Sequence, residues 1–237
     1  MSAPSHTSSG VYTGFAPPSP AELTARADRI GAEMGARYEV TGYLGHGAFA
    51  TVWRALDRVT GQAVAVKRFE GVVQKPQSFY REVRALFRLS HPRVVKVVNL
   101  MEAAGGARYL ILEFCPGGSL RAHLSWARRT GRTGRTCPAP RVRSLGRQLA
   151  SGLAAAHALG LAHRDLKPEN VLFDADSPGL FGGTAGVKLA DFGLARALTR
   201  AVPADGALPS VSGSPAYMAP EQFSGAPVPA SDVYALG

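Results

Sequence analysis

Between Tyr38 and Phe114 the apolar residues recur with the two-residue period of strands, and beyond Phe114 with the period of a helix. That change of period constrains the fold most, because each pattern must bury its apolar face against a matching partner. In the first stretch, residues 38–44 and 50–55 read as strands flanking a Gly-rich turn, and 63–67 is a short apolar run ending in a cation. Ser78 opens a helical segment with Phe79, Val83, Leu86 and Leu89 on one face, stopped before Pro92. Residues 94–101 and 109–114 are expected to form a hairpin across Gly105-Gly106. In the second stretch Leu145, Leu149, Leu153 and His157 lie four apart, which predicts an amphipathic helix over 141–159. The join falls near Cys115-Pro116-Gly117-Gly118.

At 237 residues and 46% hydrophobic, the chain can bury a core. Only Cys115 and Cys137 are present, which excludes a disulfide scaffold and fits a reducing compartment such as the cytoplasm or nucleus. The most apolar stretch, 149–162, is too short for a membrane span and is interrupted by His157. Thirteen of the first twenty residues are Ser, Thr, Pro or Gly and none is charged, so this leader cannot offset its ordering entropy and is expected to be disordered. It is hydroxyl-rich like an organellar transit peptide but lacks Arg until Arg26. Residues 21–36 could form a short helix on Leu23, Ala27, Ile30 and Met34, packing loosely on the chain beyond it.

The chemistry-bearing residues come in order. Gly45 and Gly47, in Leu44-Gly45-His46-Gly47-Ala48-Phe49-Ala50-Thr51-Val52, allow a backbone to approach a phosphate closely. Alone, such a Gly pair is equally an ordinary hairpin turn. Lys67 follows on a short strand, and Glu82 on the next helix can fix a phosphate-binding Lys in position, although the two could also be a surface pair worth little. His163-Arg164-Asp165-Leu166-Lys167-Pro168-Glu169-Asn170 is more specific, with Asp191-Phe192-Gly193 beyond it. Phosphoryl transfer needs a carboxylate to orient the attacking hydroxyl, a nearby cation, and oxygen ligands for magnesium. Asp165, Lys167, Asn170 and Asp191 are that set.

With Ala219-Pro220-Glu221 and Ser231-Asp232 completing the series, residues 38–237 resemble the eukaryotic-type protein kinase domain. The resemblance implies an α+β, bilobal fold: a leader over 1–37, a small sheet-rich N-lobe over 38–114, and a hinge with a mainly helical, incomplete C-lobe over 115–237. It implies ATP and Mg2+ as cofactors and a protein substrate with a Ser/Thr acceptor, the Lys167 motif and Gly213-Ser214-Pro215 pointing to the serine/threonine branch. Position by position, it implies that Leu44, Val52, Ala65 and Leu172 sandwich the adenine, with Leu112 behind them. The Glu113 carbonyl and Cys115 backbone would read the adenine edge, and residues 45–51 would cover the phosphates. Lys67 would hold the α- and β-phosphates, anchored by Glu82. Asp165 would be the catalytic base, Lys167 the γ-phosphate contact, and Asn170 and Asp191 the magnesium ligands. Asp232 would brace the catalytic loop and Ser214 would shape the acceptor site. Arg164 beside Asp165 implies control by phosphorylation of the activation segment, at Ser210 or else Ser212.

Four departures stand out. Ala50 takes the place of the loop's usual third glycine. A Gly- and Pro-rich hairpin, 174–186, reads as a surface insertion, with Asp174 and Asp176 solvated. Arg121, Arg128, Arg129, Arg132, Arg135, Arg141, Arg143 and Arg147 carry most of the net charge, which falls from +10 to +2 without them. They could dock an acidic partner; the plainer reading is a solvated loop joining two helices. Trp126 is the sole interleaved aromatic, which argues against nucleic acid. Finally, the family's domain continues beyond the position of Gly237, so Glu221 is expected to lack its usual Arg partner. That leaves a second reading, a truncated kinase-like scaffold acting by protein binding.

Overall fold

The computed structural model describes residues 19–47, 50–69, 76–103, 105–131, 137–175, 186–192, 215–224 and 228–237. Its contacts divide the chain into two units, Met1–Gly71 with Val97–Phe114, and Val72–Lys96 with Cys115–Gly237.

In the first unit five strands form one antiparallel sheet: β1 (Tyr38–His46), β2 (Ala50–Asp57), β3 (Gln62–Phe69), β4 (Val97–Glu102) and β5 (Arg108–Glu113), in the order β1-β2-β3-β5-β4. The two-residue period sorts the side chains. Val64 and Val66 of β3 point to one face, Ala65 and Lys67 to the other. Register sets Trp53 and Ile111 on either side of Val66, and these residues pack with Tyr38, Ala55 and Tyr109 into a buried cluster. The β2–β3 turn closes on Gly61, whose φ of 69° suits glycine. At its base Arg37 grips Asp57 with two hydrogen bonds of 3.2 and 3.0 Å, which hold the Asp57 carboxyl below the usual carboxylate range.

Helix α1 (Pro20–Met34) belongs to this unit. Ser19 caps it: its hydroxyl accepts from Glu22 N–H, and the Glu22 carboxylate accepts from Ser19 N–H at 2.7 Å. The stripe expected from the sequence is present, but loose packing is not. Ile30 and Met34 are 2% and 3% exposed and sit within the sheet's own core cluster, with Leu23 and Ala27 packed against it. Burying two such side chains contributes about 1.5–3 kcal/mol each, which explains the close docking.

The second unit holds helix α2 (Pro76–Arg88), two residues longer at its start than expected because Pro suits a first helical turn. Phe79, Val83, Leu86 and Leu89 are buried, as their spacing implies. Helix α3 (Leu120–Arg129) is capped by Ser119, and helix α4 (Ala139–His157) buries Leu145, Leu149 and Leu153. Gly152 of α4 permits close approach, since a Cβ there would meet Arg93 O at 2.9 Å. Strands β6 (Val171–Phe173) and β7 (Val187–Leu189) pair antiparallel, and short helices α5 (Pro220–Phe223) and α6 (Pro229–Leu236) follow.

The basic stretch is not one loop. Arg121, Arg128 and Arg129 lie on α3, and Arg141, Arg143 and Arg147 on α4, because both segments carry helical patterns. Arg132 and Arg135 lie outside the described residues, as does most of the insertion. Asp174 is not simply solvated; it pairs with Arg93 at 3.5 Å. Glu221 accepts a hydrogen bond from the Ser231 hydroxyl. No helix among the described residues is long and apolar enough to cross a membrane.

Candidate functional site

In the second unit, the segment from His163 to Asn170 is shaped before it is functional. Arg164 has φ 67° and Asp191 φ 66°, left-handed values that cost a non-glycine residue about 1–3 kcal/mol. The surroundings compensate at Arg164. Asp232 accepts the backbone N–H of both His163 and Arg164 at 2.7 Å, and Gln222 Nε2 donates to Arg164 O at 2.9 Å. Asp232 is 1% exposed and also meets His157 Nε2 at 2.8 Å. The brace inferred for Asp232 is therefore a set of direct bonds.

His163 is fully enclosed, with Nε2 2.9 Å from Ala190 O and Nδ1 3.4 Å from Asp165 N. A neutral ring satisfies both contacts, donating from Nε2 and accepting at Nδ1. Burial pushes its pKa below the ordinary histidine value, against the opposing field of Asp232.

This scaffold brings Asp165, Lys167 and Asn170 together. Lys167 Nζ is 2.7 Å from Asp165 Oδ2. Asn170 Nδ2 donates to Asp165 O at 2.8 Å and to Asp165 Oδ2 at 3.2 Å. With its nitrogen so committed, the Asn170 amide presents oxygen as the donor for a cation. Ala190 N donates to Asn170 O at 2.9 Å, tying the residue before Asp191 to the same turn. Among the described residues no group of three or more His, Cys, Asp or Glu could hold a metal ion. One amide oxygen and one carboxylate from neighbouring segments nevertheless fit magnesium, which takes hard oxygen donors and few of them from protein.

Glu82 of α2 lies 3.7 Å from Arg164, so the cation expected to await a phosphate already faces a carboxylate. Gly193, Ser210, Ser212 and Ser214 lie outside the described residues. Leu172 is half-buried on β6, turned from the face that buries Val171 and Phe173.

In the first unit, Lys67 is buried on β3, its Nζ 5.6 Å from the Phe69 ring centroid. Val52 and Leu110 flank it in register, and Leu112 lies opposite Ala65. These residues share the sheet face opposite the cluster that α1 covers. Leu44 is half-buried beside the irregularity between Tyr43 and Gly45. His46 ends β1 with Nδ1 2.7 Å from the Tyr43 hydroxyl, and Gly47 N donates to Ala50 O at 2.8 Å. Ala50 begins β2 opposite Phe69 and is buried, so its methyl group is accommodated. Thr51 is buried on β2, and Glu113 ends β5 opposite Val64. Ala48 and Phe49 lie outside the described residues. Cys115, buried in the second unit, follows Phe114.

Sequence reasoning missed several contributors. Gln222 and Tyr217 have no pattern to mark them, His157 is marked only as the last member of a helical stripe, and Arg121 is one cation among eight. Arg121 Nε in fact donates to Glu169 Oε1 at 2.7 Å, and its Nη2 to the Tyr217 hydroxyl at 2.8 Å.

The family profile described as protein kinase domain matches residues 38–237. The chain is 38% identical over 190 residues to CBL-interacting protein kinase 4 of Oryza sativa subsp. japonica, covering 78% of this chain and 38% of that protein. It is 36% identical over 193 residues to CBL-interacting serine/threonine-protein kinase 14 of Arabidopsis thaliana, covering 78% and 39%. It is 36% identical over 209 residues to serine/threonine-protein kinase PkaB of Streptomyces coelicolor, covering 86% and 47%. The chain thus spans less than half the length of each of these relatives. By its ordered motifs, its sheet-and-helix architecture and these matches, the chain belongs to the protein kinase domain family, within the serine/threonine protein kinases.

Proposed function

We propose that this chain transfers the γ-phosphoryl group of ATP to serine or threonine hydroxyls of proteins. The observation that carries the reading is the convergence of Lys167 and Asn170 on Asp165. A carboxylate intended as a base must be fixed in orientation, and a cation at 2.7 Å with an amide donor at 3.2 Å does so. Asp165 accepts the proton of the acceptor hydroxyl as the new O–P bond forms and the bond from the γ-phosphorus to the β–γ bridging oxygen breaks, releasing ADP, and Lys167 offsets charge on the phosphoryl group in flight. Lys67 holds the α- and β-phosphates, and Val52, Ala65 and Leu44 contact the adenine. Asn170 and Asp191 hold magnesium, which when bound neutralises charge on the phosphate oxygens.

The presence of Lys67, Asp165 and Asp191 together favours transfer over a scaffold role. Incubation with labelled ATP and a Ser/Thr protein tests it, with Asp165→Asn beside the wild type. Label confined to the wild type supports the reading, and equal label in both sinks it.

A further inference from the structure

Glu169 lies four residues after Asp165 and shares Arg121 with Tyr217, which lines a cavity together with Asp165, so its charge stands beside the ground an acceptor peptide would cross. An unopposed carboxylate there would attract a cationic side chain of the peptide and select basic substrates. In this chain Arg121 occupies it. The Nε···Oε1 contact is 2.7 Å, and each side chain is 33% exposed, so the pair sits at the surface rather than in the core. The second arm of the guanidinium reaches the Tyr217 hydroxyl at 2.8 Å, which fixes the first arm on Glu169. Its planar fork allows both bonds at once, which an ammonium on a flexible stem holds less well. The hydrogen bond to Glu169 is also the first cause of the raised Arg121 pKa. Among the described residues Glu169 Oε2 is buried and has no hydrogen-bond partner, so the carboxylate still has capacity for a donor once Arg121 is gone.

We propose that Arg121 is a specificity-determining residue: it neutralises Glu169 from within, so that the acceptor site takes peptides uncharged beside the acceptor hydroxyl. The inference rests on the kinase reading above and deepens it. Arg121 joins α3, the catalytic loop and the Pro215–Tyr217 turn, and it stands where a substrate cation would otherwise stand.

The test uses the full chain and pairs of serine peptides that differ only in Arg or citrulline flanking the acceptor. The wild type should use both members of a pair within about threefold of one another, and Arg121→Gln should favour the Arg peptide by about fivefold or more, the scale of an exposed ion pair. Adding Glu169→Gln to Arg121→Gln should restore the wild-type ratio. A purely structural tie would lower both rates together, and an unchanged ratio in a cooperatively melting Arg121→Gln protein overturns the proposal. If that variant does not fold, Glu169→Gln alone decides. The proposal expects its ratio within about threefold of wild type, whereas loss of a wild-type preference for Arg shows that Glu169 already reads substrate charge and overturns it. The same ratios measured as Kd by fluorescence anisotropy separate the two readings, because binding with these ratios but no transfer sinks only the kinase assignment.

Discussion

The Asp232 carboxylate accepts the backbone N–H of Arg164 at 2.7 Å and thereby holds Arg164 at φ 67°. The same carboxylate holds His163 N at 2.7 Å, so one buried side chain fixes the two residues that precede Asp165. Asp232→Asn keeps the size but replaces one acceptor oxygen by a donor facing an N–H. We expect it to lower unfolding free energy by about 2–4 kcal/mol in denaturant titration, and to lower transfer activity further at temperatures where the protein remains folded.

His163 supplies a pH dependence with a definite sign. Its folded pKa lies below the ordinary value of 6.5 because burial disfavours the charged ring. The unfolded chain therefore takes up a proton near pH 6.5 that the native chain refuses. Stability from this group is full above pH 6.5 and is lost as pH falls below it, at up to about 1.4 kcal/mol per pH unit. In thermal melts, the difference curve between wild type and His163→Gln should be flat above pH 7 and slope below 6.5. A slope in the opposite direction would mean that the native ring is charged.

Helix α1 lies outside the matched family region yet packs in the core of the first unit. Met34→Ala should cost about 2–5 kcal/mol, as for other truncations in a core. Ser19→Ala, which removes the cap, should cost about 0.5–2 kcal/mol. Chemical denaturation followed by Trp53 fluorescence reads both, and a Met34→Ala effect under about 0.5 kcal/mol would contradict the packing described.

Gly117 has no room for a side chain: a Cβ would collide with Ala175 O and Phe173 Cβ. Gly117 N also donates to Phe173 O at 3.2 Å, so the strand and the turn cannot easily separate. Gly117→Ala should lower the melting temperature, whereas Gly105→Ala, where a Cβ meets nothing within 4 Å, should leave it nearly unchanged. Differential scanning calorimetry of the two variants makes the comparison.

What was legible in the sequence was what repeats or aligns. The strand period marked β3, where Val64 and Val66 point to one face and Lys67 to the other, and the four-residue spacing of Leu145, Leu149 and Leu153 marked α4. Ordered motifs marked Asp165, Lys167 and Asn170, whose mutual contacts are local along the chain. Contacts across long separations that no family motif marks were not legible. Arg121 to Glu169 spans 48 residues and Gln222 to Arg164 spans 58, and no local pattern records either partner. The docking of α1 was hidden for another reason: its stripe was visible, but an amphipathic helix does not announce which apolar face it covers. The Arg stretch misled because composition shows charge without showing pairing, and its first member was already engaged.

The central claim is that Asp165, held by Lys167 and Asn170, serves as the base in phosphoryl transfer to a hydroxyl. Its most direct measurement is the rate of labelled γ-phosphoryl incorporation into a Ser/Thr protein with Mg2+, followed by phosphoamino acid analysis, for the wild type and Asp165→Asn. The account predicts phosphoserine or phosphothreonine from the wild type and a rate lower by about 100-fold or more for Asp165→Asn with the fold intact. Equal rates from the two proteins would contradict it.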